Sequence, residues 1–297
     1  MLHRYLAIVL ALLFISASTL VGCTSQSGAG ASGSSDDDNR QLRILVTNDD
    51  GFDAEGIDAI VEALLLDADN EVTVCAPDRN RSGTSENTDC GTLSTVDQTT
   101  ASGYPVTAID GCPADAVNYA LAKLYTLGEE PHLVISGINS GQNVSKLVAG
   151  LSGTIGAAKT AARSGVSALA ASQGHFHRGS QYDYAAGAEA VLAWLADHRD
   201  ALRQDATAPV DITSINIPSC DAGSIRGIRL VPLDMDEIPT GFVDPQNCES
   251  TLENPADDNE ALNNGFISQT SIPLNQESTL GRVHRQHWRG GAEPARR

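Results

Sequence analysis

From residue 42 onward, short unbroken apolar stretches alternate with longer segments of helical spacing, and this rhythm is what most limits the fold. "LRILVT" (42–47), "EVTVCAP" (71–77), "HLVISGIN" (132–139), "VSALAAS" (166–172) and "DITSINIP" (211–218) read as buried strands. Between them, "IDAIVEALLLDA" (57–68), "PADAVNYALAKLY" (113–125), "SGTIGAAKTAARSG" (152–165) and "YDYAAGAEAVLAWLADHRDALR" (182–203) read as helices. Pro113 stands at a helix start, where its missing N–H costs nothing, and Ser152 and Gly165 bracket another helix. Strands apolar on both faces and separated by helices require a mostly parallel sheet covered on both sides. The expectation is therefore an α/β protein, a Rossmann-like three-layer sandwich. Two regions break the rhythm. Residues 85–111 read as a β-hairpin excursion, and from about Gly227 to Leu280 the chain turns irregular and acidic, with a late strand in "GFISQTSIPL" that suits a C-terminal β arm or small β subdomain. Aromatic residues make up only 4% of the chain, so the core is expected to be aliphatic.

The two ends are read apart from the body at 42–281. Residues 1–22 carry a basic start (His3, Arg4), a short apolar stretch and then small residues, the layout of a secretory signal peptide. Leu20-Val21-Gly22-Cys23 resembles the lipobox of bacterial lipoproteins, which implies cleavage before Cys23 and a diacylglycerol anchor on its thiol. Multiple acyl chains hold a protein stably at a membrane where a single chain does not. The expected location is thus outside the cytoplasm, lipid-anchored to a bacterial membrane on its periplasmic or cell-surface side. The Gly-, Ser- and Asp-rich stretch that completes residues 23–41 reads as a flexible tether, and the basic tail 282–297 as disordered. The net charge of −19 excludes nucleic-acid polymers as partners, because phosphate backbones need a positive surface. After Cys23 five cysteines remain. Cys75, inside a strand, is expected as a buried thiol. Cys90, Cys112, Cys220 and Cys248 are candidates for disulfides in an exported protein; the nearest sequential pairs are 90–112 and 220–248, among three possible pairings.

In open parallel sheets, ligands bind beyond the carboxyl ends of the strands. The first strand ends in Asn48-Asp49-Asp50-Gly51. The second ends in "APDRNRSGTS", which carries Asp78, Arg79, Asn80, Arg81 and Ser82; surface acids alone would satisfy its two arginines. "SGINSGQN" supplies Asn139, Ser140 and Asn143. After the loop "VSKLVAG" (144–150), Ser152, Gly153 and Thr154 open a helix. Two adjacent carboxylates at a strand end repel each other unless a cation or solvent relieves them. Oxygen ligands of this kind suit Mg2+, Mn2+ or Ca2+, and a helix start rich in small residues offers N–H groups to an anion. Each piece alone has a plain structural reading as a turn or a cap; their convergence at successive strand ends indicates a cation beside a phosphate pocket.

The stretches "ILVTNDDGFDAEGI", "VCAPDRNRSGTS", "GCPADAVNYAL", "HLVISGINSGQN" and "LSGTIGAAKTAARSGVSALAAS" resemble, in order, the motifs of the SurE family of survival-protein nucleotidases. The resemblance implies a Rossmann-like core with a β-hairpin and C-terminal arm used in dimers or tetramers. It also implies a metal-dependent phosphomonoesterase acting on nucleoside monophosphates, with one Mg2+ or Mn2+ per subunit. Carried over by motif, the metal ligands are Asp49, Asp50, Ser82 and Asn139, the phosphate contacts are Asn143, Ser152, Gly153 and Thr154, and the catalytic residues are Asp49 and Asp50. The two aspartates serve as ligands, as proton acceptor or as direct nucleophile. At two positions the chain departs from the family pattern: Leu151 stands where a Tyr usually precedes Ser-Gly-Thr, and Cys112 replaces a Thr.

Rival motifs are weaker. Asp234-x-Asp236 is similar to the nucleophile motif of haloacid-dehalogenase-type phosphatases, but Pro232 interrupts the strand such a motif needs, and an acidic loop is the better reading. His175 and His177 suit a solvated loop better than a metal site, and His284 and His287 fall in the tail. No Gly-x-Ser-x-Gly elbow or Walker-type loop occurs. The alternative function on the same fold is a non-catalytic lipoprotein that binds a nucleotide or sugar phosphate.

Overall fold

The computed structural model describes residues 41–88, 90–174, 181–204, 209–236, 239–242 and 244–275. Residues 1–40, with the expected signal peptide, Cys23 and most of the expected tether, lie outside them, as do His175, His177 and the C-terminal residues with His284 and His287.

Nine strands among the described residues make one sheet: β1 (Leu42–Thr47), β2 (Asn70–Pro77), β3 (Thr95–Thr99), β4 (Pro105–Ile109), β5 (Leu133–Ser140), β6 (Ser167–Gly174), β7 (Asp211–Pro218), β8 (Ile228–Leu230) and β9 (Ile267–Pro273). Their spatial order is β3-β4-β2-β1-β5-β6-β7-β9-β8. The central run from β4 to β7 is parallel throughout. Chain order reverses at β1, which has β2 on one side and β5 on the other, so the crevice between the ends of β1 and β5 is the topological switch point.

The expected hairpin is present, and it belongs to this sheet: β3 and β4 pair antiparallel, and β4 continues in parallel onto β2. The C-terminal strand likewise folds back onto the main sheet. β9 lies antiparallel on β7, and β8 adds a short parallel edge outside it.

Six helices are described: α1 (Glu55–Leu65), α2 (Pro113–Lys123), α3 (Ser145–Leu151), α4 (Gly153–Arg163), α5 (Tyr184–Arg203) and α6 (Asp258–Asn263). Strand alternation divides the core into two layers. Leu42, Ile44 and Val46 of β1 face α1 (Ile57, Ile60, Leu64) and α5 (Val191, Trp194, Leu195). Leu45 faces the other way, toward α2 (Val117, Ala120) and α4 (Ile155, Ala158, Ala161). Positions 57, 60, 61 and 64 of α1 are all buried, the stripe that a 3.6-residue period produces. The core is mainly aliphatic, with Phe266, Trp194 and Tyr184 as its buried aromatic side chains. Its small residues allow α4 to lie very close to its neighbours. A Cβ placed on Gly156 would sit 1.9 Å from the carbonyl oxygen of Ser85.

Segment 144–150, expected as a loop, is largely the short helix α3. Both its ends are fixed from outside. The Ser145 N–H, at φ +65°, donates to the Asp258 carboxylate from α6, and the Leu151 carbonyl accepts from Ser85 N–H at 3.1 Å. Two disulfides form, Cys90–Cys112 and Cys220–Cys248. The first explains the departure at Cys112: it ties the loop after β2 to the N-cap of α2. Cys75 is a buried thiol whose pKa is pushed up to about 12 by burial.

Candidate active site

β1 delivers Asn48, Asp49 and Asp50 to the switch point. Asn48 closes the turn by donating from Nδ2 to the Gly51 carbonyl (2.8 Å) and accepting at Oδ1 from Gly51 N–H (3.2 Å). Gly51 has φ +115°, and a Cβ there would meet the Arg79 backbone at 3.2 Å. The turn therefore needs glycine on both grounds.

Asp49 is 2% exposed. Its Oδ1 accepts from Thr154 Oγ1 at 2.9 Å, and its Oδ2 from Thr154 N–H at 3.2 Å. Its carbonyl accepts from Arg81 N–H at 2.6 Å. The carboxylate of β1 is thus seated on the N-terminus of α4, where helix N–H groups and the dipole favour an anion. Burial, and next the charge of Asp50, push its pKa up to about 6; the Thr154 hydrogen bonds pull the other way. Gly153 makes the fit possible, since a Cβ there would lie 2.8 Å from Asp49 Oδ2 and 3.1 Å from Thr84 Oγ1.

Asp50 is more open and is held from two sides. Asn80 Nδ2 donates to its Oδ1 at 3.1 Å, and Ser140 N–H donates to its Oδ2 at 2.8 Å. Asn80 also accepts, at Oδ1, from the N–H of exposed Ser82 at 3.0 Å. Asn139, next to Ser140, donates from Nδ2 to the Gly141 carbonyl at 2.7 Å. β5 reaches this point through a register shift between Ser136 and Asn139, which re-aims its last residues. Gly137 permits the shift: at φ +143°, a Cβ would sit 2.3 Å from the Ala171 carbonyl oxygen.

Asn143 was expected at the phosphate. Its Nδ2 donates to Ser172 Oγ (2.9 Å) and to Thr154 Oγ1 (3.3 Å), and its N–H donates to Asn216 Oδ1 (2.7 Å). It stands behind Thr154 as a brace. Ser152 caps α4, accepting from Ile155 N–H at 3.1 Å. One hydrogen-bonded group therefore gathers Asp49, Thr154 and Asn143, and a second, beside it, gathers Asp50, Asn80, the Ser82 N–H and the Ser140 N–H.

Other residues take different parts. Arg79 and Arg81 pair with Asp78 and Asp110, as surface acids predict. Asp234 accepts from Asp236 N–H at 2.8 Å in an acidic loop. Ser172, Asn216 and Tyr184 join the site although sequence reasoning did not single them out. For the first two a signal existed: a polar residue near the carboxyl end of an otherwise apolar strand.

Among the described residues, no group of three or more His, Cys, Asp or Glu side chains is arranged to hold a metal ion. The set here is different in kind: two carboxylates with hydroxyl and amide oxygens, the hard donors that Mg2+ and Mn2+ take. The donor set fits such a cation. Asp49 is buried, and burial first and the charge of Asp50 next raise its pKa, so this carboxylate is short of positive charge.

A doubly wound α/β sheet whose switch point joins paired carboxylates to a helix N-terminus defines the class, a Rossmann-like protein built to hold a small anionic ligand beyond its strand ends. Residues 44–238 match the family "Survival protein SurE", and the chain belongs to that family. A protein named 5'-nucleotidase SurE from Alkalilimnicola ehrlichii is 34% identical over 246 residues, covering 78% of this chain and 90% of that one. Its namesake from Halorhodospira halophila is 32% identical over 267 residues, covering 84% and 99%. The crystal structure of the SurE protein from Aquifex aeolicus superposes with a TM-score of 0.61 at 23% identity, over 83% of this chain and 99% of that one, a likeness of fold.

Proposed function

We propose that the protein hydrolyses nucleoside monophosphates as a divalent-cation-dependent phosphomonoesterase, a 5'/3'-nucleotidase. The observation that carries the reading is the seat of Asp49: a buried carboxylate bonded to the first turn of a helix, beside a second carboxylate at the switch point. Relatives named 5'-nucleotidase SurE support the reaction class.

Asp49, Asp50, Ser82 and Asn139 would hold one Mg2+ or Mn2+. When bound, such a cation offsets charge on the phosphoryl group and lowers the pKa of water. Asn139 would offer its Oδ1, since its Nδ2 is committed to Gly141. The start of α4 would receive the phosphate through Ser152 and Gly153, whereas Thr154, expected there too, gives both its N–H and its hydroxyl to Asp49 and so seats that carboxylate, with Asn143 fixing the Thr154 hydroxyl. Burial and the charge of Asp50 raise the pKa of Asp49 when no cation is present, and a cation bound between the two would favour its ionised form.

Hydrolysis of p-nitrophenyl phosphate and of nucleoside monophosphates, with Mg2+ or Mn2+ and then after chelation, tests the reading. Turnover that disappears with chelator and returns with metal is expected. Zero turnover combined with tight, metal-dependent nucleotide binding would overturn it in favour of a binding lipoprotein.

We also infer export and a lipid anchor at Cys23, on the strength of the residue 1–23 layout, and assembly as a homodimer or tetramer, as membership of the family suggests. Among the described residues no helix is long and apolar enough to cross a membrane. The anchor predicts partition into detergent that Cys23→Ser abolishes. Light scattering of the soluble body reads the assembly state.

A further inference from the structure

Tyr184 is the first residue of α5, just after its N-cap Asp183, and the residue is 9% exposed. The ring packs close to α1, where a Cβ on Gly56 would lie 3.0 Å from Tyr184 Cε1. Tyr182 stacks on it, ring centroids 5.4 Å apart at 28°. A phenylalanine would fill this volume equally well. What it would lack is the hydroxyl, and the hydroxyl reaches the active site: Tyr184 Oη lies 2.7 Å from Ser140 Oγ. Ser140 in turn donates its N–H to Asp50 Oδ2 at 2.8 Å.

That contact matters because of where it sits. Of the two hydrogen bonds to Asp50, the one from Asn80 comes from an exposed loop, whereas the one from Ser140 comes from the sheet. Ser140 is the last residue of β5; the ladder shifts between Ser136 and Asn139, and beyond the shift Ser140 pairs with Gln173 of β6. Gly141 N–H bonds the Gln173 carbonyl at 2.9 Å on the β6 side, and Tyr184 holds the same strand end from the helical layer. Burial raises the pKa of the phenol, and it stays a neutral hydrogen-bond group.

We propose that Tyr184 is a positioning residue for Asp50: its hydroxyl pins the Ser140 side chain, and so keeps the Ser140 N–H aimed at Oδ2. The inference rests on the reading of Asp50 as a cation ligand given under Proposed function. It assigns to α5 a direct share in the geometry of a site that otherwise draws on β1, β5, α4 and the loop after β2.

The test compares wild type, Tyr184→Phe, Ser140→Ala and the double variant. Three quantities are read: the Mn2+ dissociation constant by electron paramagnetic resonance, kcat and KM for p-nitrophenyl phosphate, and Tm in chelator. Tyr184→Phe is expected to weaken Mn2+ binding and lower kcat by about threefold to tenfold, the effect of one lost neutral hydrogen bond, with KM less altered. Ser140→Ala should do the same, and the double variant should be no worse than the larger single change, because one bond is lost in each case. Ser140→Thr, which keeps the hydroxyl, should retain the wild-type affinity. Unchanged Mn2+ affinity in Tyr184→Phe, with or without a fall in Tm, overturns the inference, and so does additivity in the double variant. If Tyr184→Phe does not fold, Ser140→Ala alone decides by the same Mn2+ measurement. A wild type that binds Mn2+ at the Asp50 site but hydrolyses no phosphomonoester would overturn the proposed function and leave the Mn2+ comparison to judge Tyr184.

Discussion

Replacing Asp49 by Asn removes a charge from a position where, without a cation, the charge is costly. The side chain is 2% exposed, and burial together with Asp50 raises its pKa from 3.8 to about 6. Native protein then holds the proton more tightly than the unfolded chain, so stability of the chelated protein falls as pH rises from about 4 to about 6. Above that range the full penalty applies, about 3 kcal/mol at roughly 1.36 kcal/mol per pH unit. Asn fits the same space. Its carbonyl can accept from Thr154 N–H, and its amide can donate to Thr154 Oγ1, which rotates to receive it. Asp49→Asn should therefore gain up to about 3 kcal/mol at pH 8 in chelator, and about half of that at pH 5, while losing phosphomonoesterase activity. Urea unfolding at both pH values, with and without EDTA, gives the stability, and p-nitrophenyl phosphate hydrolysis with Mn2+ gives the activity. In Mn2+ the gain should shrink or reverse, since only the wild type is stabilised by tight cation binding. A variant less stable than wild type at pH 8 in chelator, or one that hydrolyses at the wild-type rate, would refute the reasoning.

Gly153→Ala places a Cβ 2.8 Å from Asp49 Oδ2, so the carboxylate must move by several tenths of an ångström; kcat/KM should fall by about 10- to 100-fold in a protein that still folds. Asp258 is buried, and burial raises its pKa to about 7, so stability should decline between about pH 4 and 7 from this group as well. Asp258→Asn should remove up to about 4 kcal/mol of that decline, as measured by urea unfolding across pH, with Mn2+ affinity by electron paramagnetic resonance unchanged. Replacing the Cys90–Cys112 pair by Ala and Thr opens a closure spanning 22 residues and should cost about 3 kcal/mol, seen as a lower urea midpoint that dithiothreitol does not lower further through this bridge.

Strand positions were legible because a strand buried on both faces leaves a continuous apolar record: β1 spans residues 42–47 as read from the letters alone, and β7 spans 211–218. Helix ends were less so. α1 starts at Glu55, two residues before its apolar stripe, because its N-cap Ala54 makes no side-chain cap and so leaves no mark. α3 was hidden for a different reason. Its start at Ser145 is held by Asp258, 113 residues away, and no local pattern encodes a cap borrowed from α6. The edge pairings of β4 on β2 and β9 on β7 are equally non-local. In the candidate site, Asp49, Asp50, Asn139 and the start of α4 stand in motifs at strand ends, as does Ser82 in the loop after β2, and the letters alone single them out as candidates. Tyr184 is not among them, because one tyrosine at a helix start is indistinguishable from a core residue until its hydroxyl is seen beside Ser140.

The bonds that seat Asp49 and Asp50 join residues 105 and 90 positions apart. No fragment ending before Ser140 holds both halves of the Asp50 contact, and none ending before α4 holds those of Asp49, so a nascent chain lacks the seat of Asp49 until α4 has been made and packed. Turnover thus becomes a late signal of completed folding, and in a refolding time course it should trail the return of helical circular dichroism.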